Sequence, residues 1–300
     1  MLELTDIGLQ SGRKTLLKDV SFTAEAKRIT ALVGPRGSGK TELVRVIMGL
    51  IDADSGEVSL EGTALGFGDR QNFGYLPDER GGYPGMKVLE QIVFFARLHG
   101  MTLGAAERNA VTLLKRLGLS DRAYAPLSNL SGTEASLVDI AAVLAADPDV
   151  VVLDDPFSGL DVDGVRAVFG LLRDHAASGV PVLVATEDWG HAQEVADDLV
   201  VLDHGAVVAQ GSVAELRAEA AELRYRLDFA DAAAAQAAAE SLRGAPGVED
   251  STDAVTVTAD RIVLRVADED AVTPAITSAS GLRGFGREVP GLAEIFKERV

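Results

Sequence analysis

The sequence has no cysteine, few aromatic residues and little positive charge. The absence of cysteine excludes disulfides, zinc ribbons and thiol catalysis. Only 28 Lys and Arg stand against 46 Asp and Glu, so the formal net charge is −18. Such an excess repels phosphate backbones and anionic headgroups, and it argues against nucleic acid as a partner. Because no apolar run approaches ~18 residues and the N-terminus lacks a targeting pattern, we expect a cytoplasmic protein without direct membrane insertion.

Short apolar, β-branched runs alternate with segments of helical periodicity over the first two thirds of the sequence. The clearest strand-like runs are Val58–Leu60, Val150–Leu153 and Val182–Ala185, and the clearest helical segments are Glu90–Leu98 and Ala105–Leu117. Strands that alternate with helices favour an α/β core with a largely parallel sheet. The runs are continuously apolar, as expected for strands buried on both faces.

The composition changes after about residue 220, where an alanine-rich segment, Ala232–Ala239, predicts one packed helix. The neighbouring segments read as a strand, a hairpin, a helix, a strand and a last short helix: Leu223–Phe229, Ala254–Thr258 with Arg261–Val266, Glu269–Ser280, Arg283–Val289, and from Gly291 onward. We therefore predict a first domain of residues 1–220 and a small α+β accessory domain of residues 221–300.

A phosphate-binding loop follows the predicted strand Ile29–Val33. Residues 34–41 match the pattern G-x-x-x-x-G-K-[ST] and precede an apolar helix: Gly34, Pro35, Arg36, Gly37, Ser38, Gly39, Lys40 and Thr41. In this pattern the backbone N–H groups surround phosphate oxygens, the lysine reaches the outer phosphates and the last hydroxyl binds Mg²⁺. Its position between a strand and a helix makes a purely structural glycine turn a poor alternative.

Two carboxylates end a second buried strand. Residues 150–155 read VVVLDD, so Asp154 and Asp155 follow four apolar residues. One acid at this place can hold the metal, and the other can act as a base beside an attacking water.

The ordered motifs GPRGSGKT, LSGTE (130–134), VVVLDDPFSGLD (150–161) and DHGAVVAQG (203–211) resemble those of the ATP-binding subunit of an ABC transporter. Within this family, residues 74–91 are similar to ATPases of sodium- and drug-export-type systems, and residues 290–296 resemble the end of their accessory domain. The resemblance implies a P-loop NTPase fold of ABC type, with a mostly parallel sheet core, an antiparallel β subdomain and a helical subdomain at about residues 85–145.

The resemblance also implies the ligands and partners. ATP and Mg²⁺ would lie between the phosphate loop of one subunit and the signature loop of a second ATP-binding subunit, in a homodimer or a heterodimer. Closure of this dimer would drive an integral-membrane permease, which would hold the chain peripherally on the inner face of the cell membrane. By the family's motifs Thr41 and Asp154 hold the metal, Ser131 and Gly132 contact nucleotide in trans, and Asp161 lies in the dimer-facing loop.

Several residues depart from the family pattern near the terminal phosphate of ATP. At the position of the family's catalytic glutamate this sequence has Asp155, whose side chain is shorter by one methylene. At the position of the family's switch histidine it has Glu187. His191, four residues later, is interpreted as a histidine on a helix surface. Asp78 stands where the family has a glutamine that senses nucleotide and permease, and Arg36 occupies a position of the phosphate loop at which the family usually has a neutral residue.

The signature loop is altered as well. Its second glycine is Thr133 and its glutamine is Glu134, while Gln10 and Ser11 occupy the place of the aromatic residue that stacks on adenine. Residues 130–203 carry 15 Asp and Glu but only 2 Lys and Arg, so the negative charge is concentrated between the signature loop and the switch position. Carboxylates near the terminal phosphate would repel it.

These features predict an ATPase subunit of an export-type ABC transporter whose hydrolysis is reduced. One alternative is a regulatory or structural subunit that binds ATP without useful turnover, and another is a working homodimeric ATPase with compensating changes. A soluble ABC ATPase of DNA repair or translation is disfavoured, because the sequence has no tandem cassette, coiled-coil insertion, zinc-binding cysteines or basic surface.

Overall fold

The computed structural model describes residues 1–79, 81–221, 224–243, 245, 247–248, 254–266, 270, 273, 276–277, 279–288 and 291–296. The chain divides into two compact units, of which the first is Met1–Val213 and the second begins at Ala214. Within the described ranges, every helix is too short or too polar to cross a lipid bilayer.

A six-stranded sheet forms the centre of the first unit. Its spatial order is β10, β9, β3, β8, β7 and β6. These strands are β3 (Ile29–Val33), β6 (Phe73–Leu76), β7 (Val150–Asp154), β8 (Val182–Thr186), β9 (Asp198–Asp203) and β10 (Ala206–Ser212). All neighbours are parallel except the edge strand β10, which is antiparallel to β9. The carboxyl ends of β3, β7 and β8 therefore meet at one edge of the sheet.

Both faces of this sheet are buried, which explains the continuous apolar runs. Along β7, Val151 and Leu153 face one hydrophobic core, and Val150 and Val152 face the other. The helices of the first unit are α1 (Lys40–Ile47), α2 (Val88–Leu98), α3 (Leu103–Arg116), α4 (Gly132–Leu144), α5 (Val162–Ala177) and α6 (Trp189–Val195), and α7 (Val213–Ala221) follows them. Helices α2 to α5 contribute to the first core and α1 to the second.

A separate antiparallel sheet of order β2, β1, β4 and β5 covers the second core. It consists of β1 (Leu2–Ser11), β2 (Lys14–Ala24), β4 (Ser55–Leu60) and β5 (Thr63–Ala64). The predicted strand Val58–Leu60 lies here rather than in the parallel sheet, and it pairs with β1 on one side and with β5 on the other.

The second unit is built on a four-stranded antiparallel sheet of order β12, β13, β11 and β14. Its elements are β11 (Arg224–Phe229), α8 (Ala232–Leu242), β12 (Val255–Thr258), β13 (Arg261–Arg265), β14 (Leu282–Arg287) and α9 (Leu292–Phe296). Ala235, Ala238 and Ala239 of α8 are buried against Leu227, Ile262 and other apolar residues of the sheet. Small alanine side chains let this helix lie close to the strands.

The predicted fold class is confirmed: the first unit is a P-loop NTPase core with a mostly parallel sheet, an antiparallel sheet and a group of helices. The predicted strand Ile29–Val33 agrees with β3 at both ends, and the other described elements agree to within a few residues. Most of the predicted helix at Glu269–Ser280, together with Leu223 and Val289 at the ends of two predicted strands, lies outside the described residues.

Candidate functional site

The phosphate loop joins β3 to α1, and two of its glycines, Gly34 and Gly39, are required by close contacts or by backbone conformation. A Cβ at Gly34 would lie 2.0 Å from the carbonyl oxygen of Leu202, which no substitution tolerates. Gly39 has φ 107°, a conformation that L side chains rarely adopt, and it immediately precedes α1. The loop therefore turns sharply and directs the N-terminal end of α1, where unpaired N–H groups favour anions, into the loop.

Lys40 is the buried cation of this loop. Its side chain is only 7 % exposed, and Nζ donates hydrogen bonds to the carbonyl oxygens of Gly34 at 2.8 Å and Pro35 at 2.9 Å. Burial lowers the pKa of Lys40, and the carboxylates of Glu187 and Asp154 act in the opposite direction. Oε1 of Glu187 lies 3.8 Å from Nζ of Lys40.

Asp154 and Thr41 form a site that fits a divalent cation. Asp154 ends β7 and is 3 % exposed, and its Oδ2 atom is buried without a hydrogen-bond partner in the part of the chain that the structure describes. Burial raises the pKa of Asp154, and a hydrogen bond with Thr41 opposes this effect. An unsatisfied buried carboxylate oxygen beside a hydroxyl is an arrangement that Mg²⁺ would satisfy, because this ion takes one or two protein ligands and completes its shell with phosphates and waters.

Asp155 lies next along the chain and contacts the end of the neighbouring strand. Its backbone N–H donates to Ala185, and its Oδ1 accepts a hydrogen bond of 3.3 Å from the hydroxyl of Thr186. The φ angle of Asp155 is 48°, a left-handed conformation in which Asp is more frequent than most residues. The predicted base is thus held at the sheet edge by Thr186, which is 1 % exposed.

One open cleft of about 350 Å³ brings these groups together. Of the predicted residues it is lined by Arg36, Gly37, Gly39, Lys40, Thr41, Asp78, Asp154, Asp155 and Glu187, and Glu42, Arg45 and Thr186 complete the lining. Five of these are carboxylates and three are cations, so the cleft is acidic. The sequence prediction that Asp78 and Glu187 lie near the phosphate loop agrees with this geometry.

The predicted signature residues lie outside this cleft, at the beginning of α4. Ser131 is the N-cap: its Oγ accepts from the N–H of Glu134 at 3.2 Å, and Glu134 Oε2 accepts from the N–H of Ser131 at 2.8 Å. The other carboxylate oxygen of Glu134 accepts from Nε of Arg122 at 2.8 Å. The hydrogen bond from Ser131 lowers the pKa of Glu134, and Arg122 adds to this effect. Glu134 is therefore compensated, which the sequence did not show.

One further contact connects this helix start to the loop before α5, and another caps α5 itself. Thr133 Oγ1 donates to the carbonyl oxygen of Gly159 at 3.0 Å. Asp161 caps α5 by accepting from the N–H of Gly164 at 2.8 Å. Ser131, Gly132 and Asp161 are thus placed on adjoining helix ends, and they do not reach the phosphate loop of their own chain.

His191 belongs to α6 and does not line the cleft. The centre of its ring lies 5.1 Å from that of Phe157 and 6.3 Å from that of Phe169. Its backbone N–H donates a hydrogen bond to Oδ1 of Asp188. The interpretation as a surface histidine needs a correction, because the ring is half-buried against two aromatic side chains. The conclusion that it does not act on phosphate agrees with its position.

We expect Ser131→Ala to loosen the first turn of α4. Loss of an N-cap costs about 1 kcal/mol, so the amide hydrogens of Glu134 and Ala135 should exchange with solvent about fivefold faster. Hydrogen exchange followed by mass spectrometry measures this. Ser128→Ala, an exposed serine in the same loop, is the matched control and should leave these rates unchanged. Equal rates in wild type and Ser131→Ala would show that the cap is not formed.

Sequence reasoning missed three functional neighbours. Thr186 holds Asp155, Arg45 lines the cleft and interacts with Tyr75, and Arg122 compensates Glu134. Of these three residues, only Thr186 could have been identified from the sequence, since it is a polar residue at the end of an apolar strand. The other two depend on tertiary packing.

Comparisons with known proteins find ATP-binding proteins of ABC transporters among the relatives of this chain. The profile of the ABC transporter family matches residues 17–158. An ABC transporter ATP-binding protein of Bacillus subtilis, YhaQ, is 31% identical over 304 residues, which cover 100% of this chain and 98% of the relative. The Nod factor export ATP-binding protein I of Burkholderia lata is 31% identical over 70% of each chain.

Solved structures give the same result for the fold. The structure of an ATP-binding subunit of an ABC transporter superposes with a TM-score of 0.68 at 26% identity, and the match covers 73% of this chain and 92% of the other. A dimeric ATP-binding cassette, MJ0796, in a post-hydrolysis state with ADP and Pi superposes with a TM-score of 0.63 at 22% identity, covering 71% of this chain and 99% of the other.

Proposed function

Since the chain belongs to the ATP-binding proteins of ABC transporters, we propose that it binds Mg-ATP at the cleft beside Lys40 and hydrolyses it slowly. The observation that carries the proposal is the cleft itself, in which Lys40, Thr41 and Asp154 lie together with Asp155 and Glu187, the residues that depart from the family pattern. Binding and hydrolysis would be coupled to a membrane permease.

The intact half of the site supports nucleotide binding. The turn at Gly34 and Gly39, the buried ammonium of Lys40 and the adjacent side chains of Thr41 and Asp154 support a site for phosphate and Mg²⁺. Bound Mg²⁺ would neutralise phosphate charge and polarise the phosphoryl group. In this chain Asp154 and Thr41 would hold the ion, Lys40 would bind the outer phosphates, and the N-terminal end of α1 would stabilise their charge.

The altered half of the site supports slow turnover. A general base works within about 2.6–3.2 Å of the water that it deprotonates. Asp155 is shorter than a glutamate by one methylene, and its Oδ1 already accepts a hydrogen bond from Thr186. Glu187 offers a carboxylate where a histidine would donate a hydrogen bond. Both changes weaken activation of the attacking water and stabilisation of the transition state.

The signature residues support a second ATP-binding subunit. Ser131 and Gly132 start α4 on a part of the chain that does not line its own cleft, so they would contact nucleotide bound to a partner subunit. Asp161 would lie at the same interface. Because Thr133 and Glu134 also differ from the family pattern, a heterodimer with an intact second subunit would keep one productive site more readily than a homodimer.

Export is proposed from the relatives. Nod factor export and linearmycin resistance are the processes named for two of the similar ATP-binding proteins. We assign nucleotide binding to residues 1–220, with the helical subdomain at about 85–145 facing the permease, and an accessory role to residues 221–300. The chain would be cytoplasmic and held at the inner face of the membrane by the permease.

A regulatory subunit without turnover is the second candidate. The hydrogen bond from Thr186 to Asp155 favours it, because a carboxylate oxygen that already accepts this bond is less available to accept a proton from water. Turnover that exceeds that of a Lys40→Ala variant would rule it out.

Binding of ATP tests the proposal first. We expect Lys40→Ala to weaken Mg-ATP binding about 30-fold, since hydrogen bonds to charged groups contribute about 2 kcal/mol. A titration with a fluorescent ATP analogue measures the affinity, and Lys115→Ala, an exposed lysine of α3, is the control. If wild type and Lys40→Ala bind equally, or if neither binds, the cleft is not a nucleotide site.

A further inference from the structure

We infer that Glu187 makes this cleft select the nucleoside diphosphate over the triphosphate. The inference rests on the proposed function, because it concerns the nucleotide that occupies the same cleft. The observation that supports this inference is the position of the Glu187 carboxylate beside Lys40, at the side of the cleft formed by the carboxyl ends of β7 and β8.

The distance between these two side chains limits where a phosphate can lie. Lysine binds phosphate oxygens at about 2.8 Å, and Oε1 of Glu187 is 3.8 Å from Nζ of Lys40. An oxygen bound to Lys40 in this position therefore lies no more than about 6.6 Å from the Glu187 carboxylate. A phosphate that Lys40 binds is consequently within range of direct repulsion.

The other carboxylates of the cleft add to this repulsion. Asp155 follows β7 and Asp78 lies close enough to Asp154 to raise its pKa. Of the cations that line the cleft, Lys40 already faces Glu187, and Arg45 is engaged with Tyr75. Arg36 is exposed in the loop. The additional negative charge of a third phosphate thus enters a region where carboxylates outnumber cations.

The two nucleotides differ in how this region affects them. In a phosphate loop the backbone N–H groups surround the α- and β-phosphates, and the lysine reaches the β- and γ-phosphates. The β-phosphate of the diphosphate is therefore held mainly by the loop and the helix start. A γ-phosphate would lie beyond the loop, towards the strand ends that carry Asp155 and Glu187. The negative charges of these two side chains would repel it.

Exposure of Glu187 sets the size of the effect. The side chain is 54 % exposed, so water, salt and Mg²⁺ reduce the repulsion. We expect a tenfold preference for Mg-ADP over Mg-ATP, which corresponds to about 1.4 kcal/mol. After hydrolysis the product ADP would stay bound, and its release would limit turnover in addition to the altered base.

Calorimetric titration of the full chain with Mg-ADP and with Mg-ATP tests the inference. Wild type should bind Mg-ADP about tenfold more tightly. Glu187→Gln, which keeps the size of the side chain and removes its charge, should tighten Mg-ATP about tenfold and Mg-ADP by less than threefold, and Glu187→Ala should do the same. Glu194→Gln makes the same change at an exposed position of α6 outside the cleft and should change neither affinity.

The outcomes separate the inference from the proposed function. Equal affinities for both nucleotides in wild type, or an equal effect of Glu187→Gln on both, would overturn the selectivity while leaving nucleotide binding intact. Failure of both nucleotides to bind would overturn the proposed function itself.

Discussion

Changing Asp155 to Glu and Glu187 to His in one chain should raise the rate of Mg-ATP hydrolysis about 100-fold. The longer carboxylate extends past the hydroxyl of Thr186 towards the attacking water, and the imidazole replaces a repelling charge beside Lys40 with a hydrogen-bond donor. A positioned general base contributes 10²–10⁴-fold to the rate, so the lower end of that range is a conservative expectation. Release of inorganic phosphate under saturating Mg-ATP measures the change.

The control for this experiment must share the backbone strain of Asp155. Asp19 is exposed and has φ 48°, the same left-handed conformation as Asp155. Asp19→Glu combined with Glu194→His therefore makes the same two chemical changes away from the cleft and should leave the rate unchanged. A double variant at 155 and 187 that stays at the wild-type rate would show that turnover is limited elsewhere, with the signature residues Thr133 and Glu134 as the next candidates.

Asp154→Asn should abolish the contribution of Mg²⁺ to ATP binding. In wild type we expect chelation of Mg²⁺ by EDTA to weaken ATP binding about 100-fold, whereas the variant should bind ATP with the same low affinity with or without the ion. The physical reason is that a neutral amide beside Thr41 cannot replace the carboxylate as a ligand of a hard cation. Titration with a fluorescent ATP analogue in both buffers measures the difference.

The same substitution should stabilise the protein in the absence of metal and nucleotide. Asp154 is buried and its Oδ2 atom has no hydrogen-bond partner among the described residues, so burial disfavours the charged form and raises the pKa of this carboxyl. When the pKa of a carboxyl is higher in the folded than in the unfolded state, the protein loses stability as the pH rises from the unfolded-state pKa through the folded-state pKa. Removing the charge should therefore increase the free energy of unfolding near neutral pH by about 1 kcal/mol.

Asp149→Asn is the matched control for both readouts. Asp149 directly precedes β7 and is exposed, so the change removes one negative charge at the opposite end of the same strand. This variant should keep the Mg²⁺ effect and should not gain stability. If Asp154→Asn lowers stability in EDTA, or if it keeps the full Mg²⁺ effect, Asp154 is not the metal ligand.

The phosphate loop and the position of Asp154 could be predicted from the sequence because each is encoded in a contiguous segment. The eight residues from Gly34 to Thr41 carry their own turn chemistry, and the apolar strand before Asp154 shows where that carboxylate must lie. Parallel strands place their carboxyl ends at one edge, so the meeting of both segments followed from the predicted sheet. The structure then adds distances, not a different site.

The compensating contacts could not be predicted because they join distant parts of the chain. Arg122 reaches Glu134 only because the turn after α3 packs beside the start of α4, and Thr186 reaches Asp155 only because β8 pairs with β7. From the sequence alone, Glu134 is therefore interpreted as an uncompensated negative charge near nucleotide. In the structure its charge is used within the capping box, and the acidic character of the cleft comes from other residues.

The concentration of acidic residues between positions 130 and 203 has two different consequences. Asp161 and Asp188 cap helices, and Glu134 pairs with Arg122. Their charges serve local structure. Asp154, Asp155 and Glu187, by contrast, line the cleft where phosphate would bind. In the proposed function, this second group is the one that bears on hydrolysis.

A single-turnover measurement with the purified wild-type chain tests the central claim most directly. The protein is mixed in excess over radiolabelled Mg-ATP, and conversion to ADP is followed with time, with the Lys40→Ala variant as the background. We predict that wild type binds the nucleotide and converts it above that background at less than about 0.1 s⁻¹, well below the ~10 s⁻¹ that is typical of enzymes. Conversion near 10 s⁻¹ that Lys40→Ala abolishes would contradict the account, because Asp155 and Glu187 would then support full catalysis.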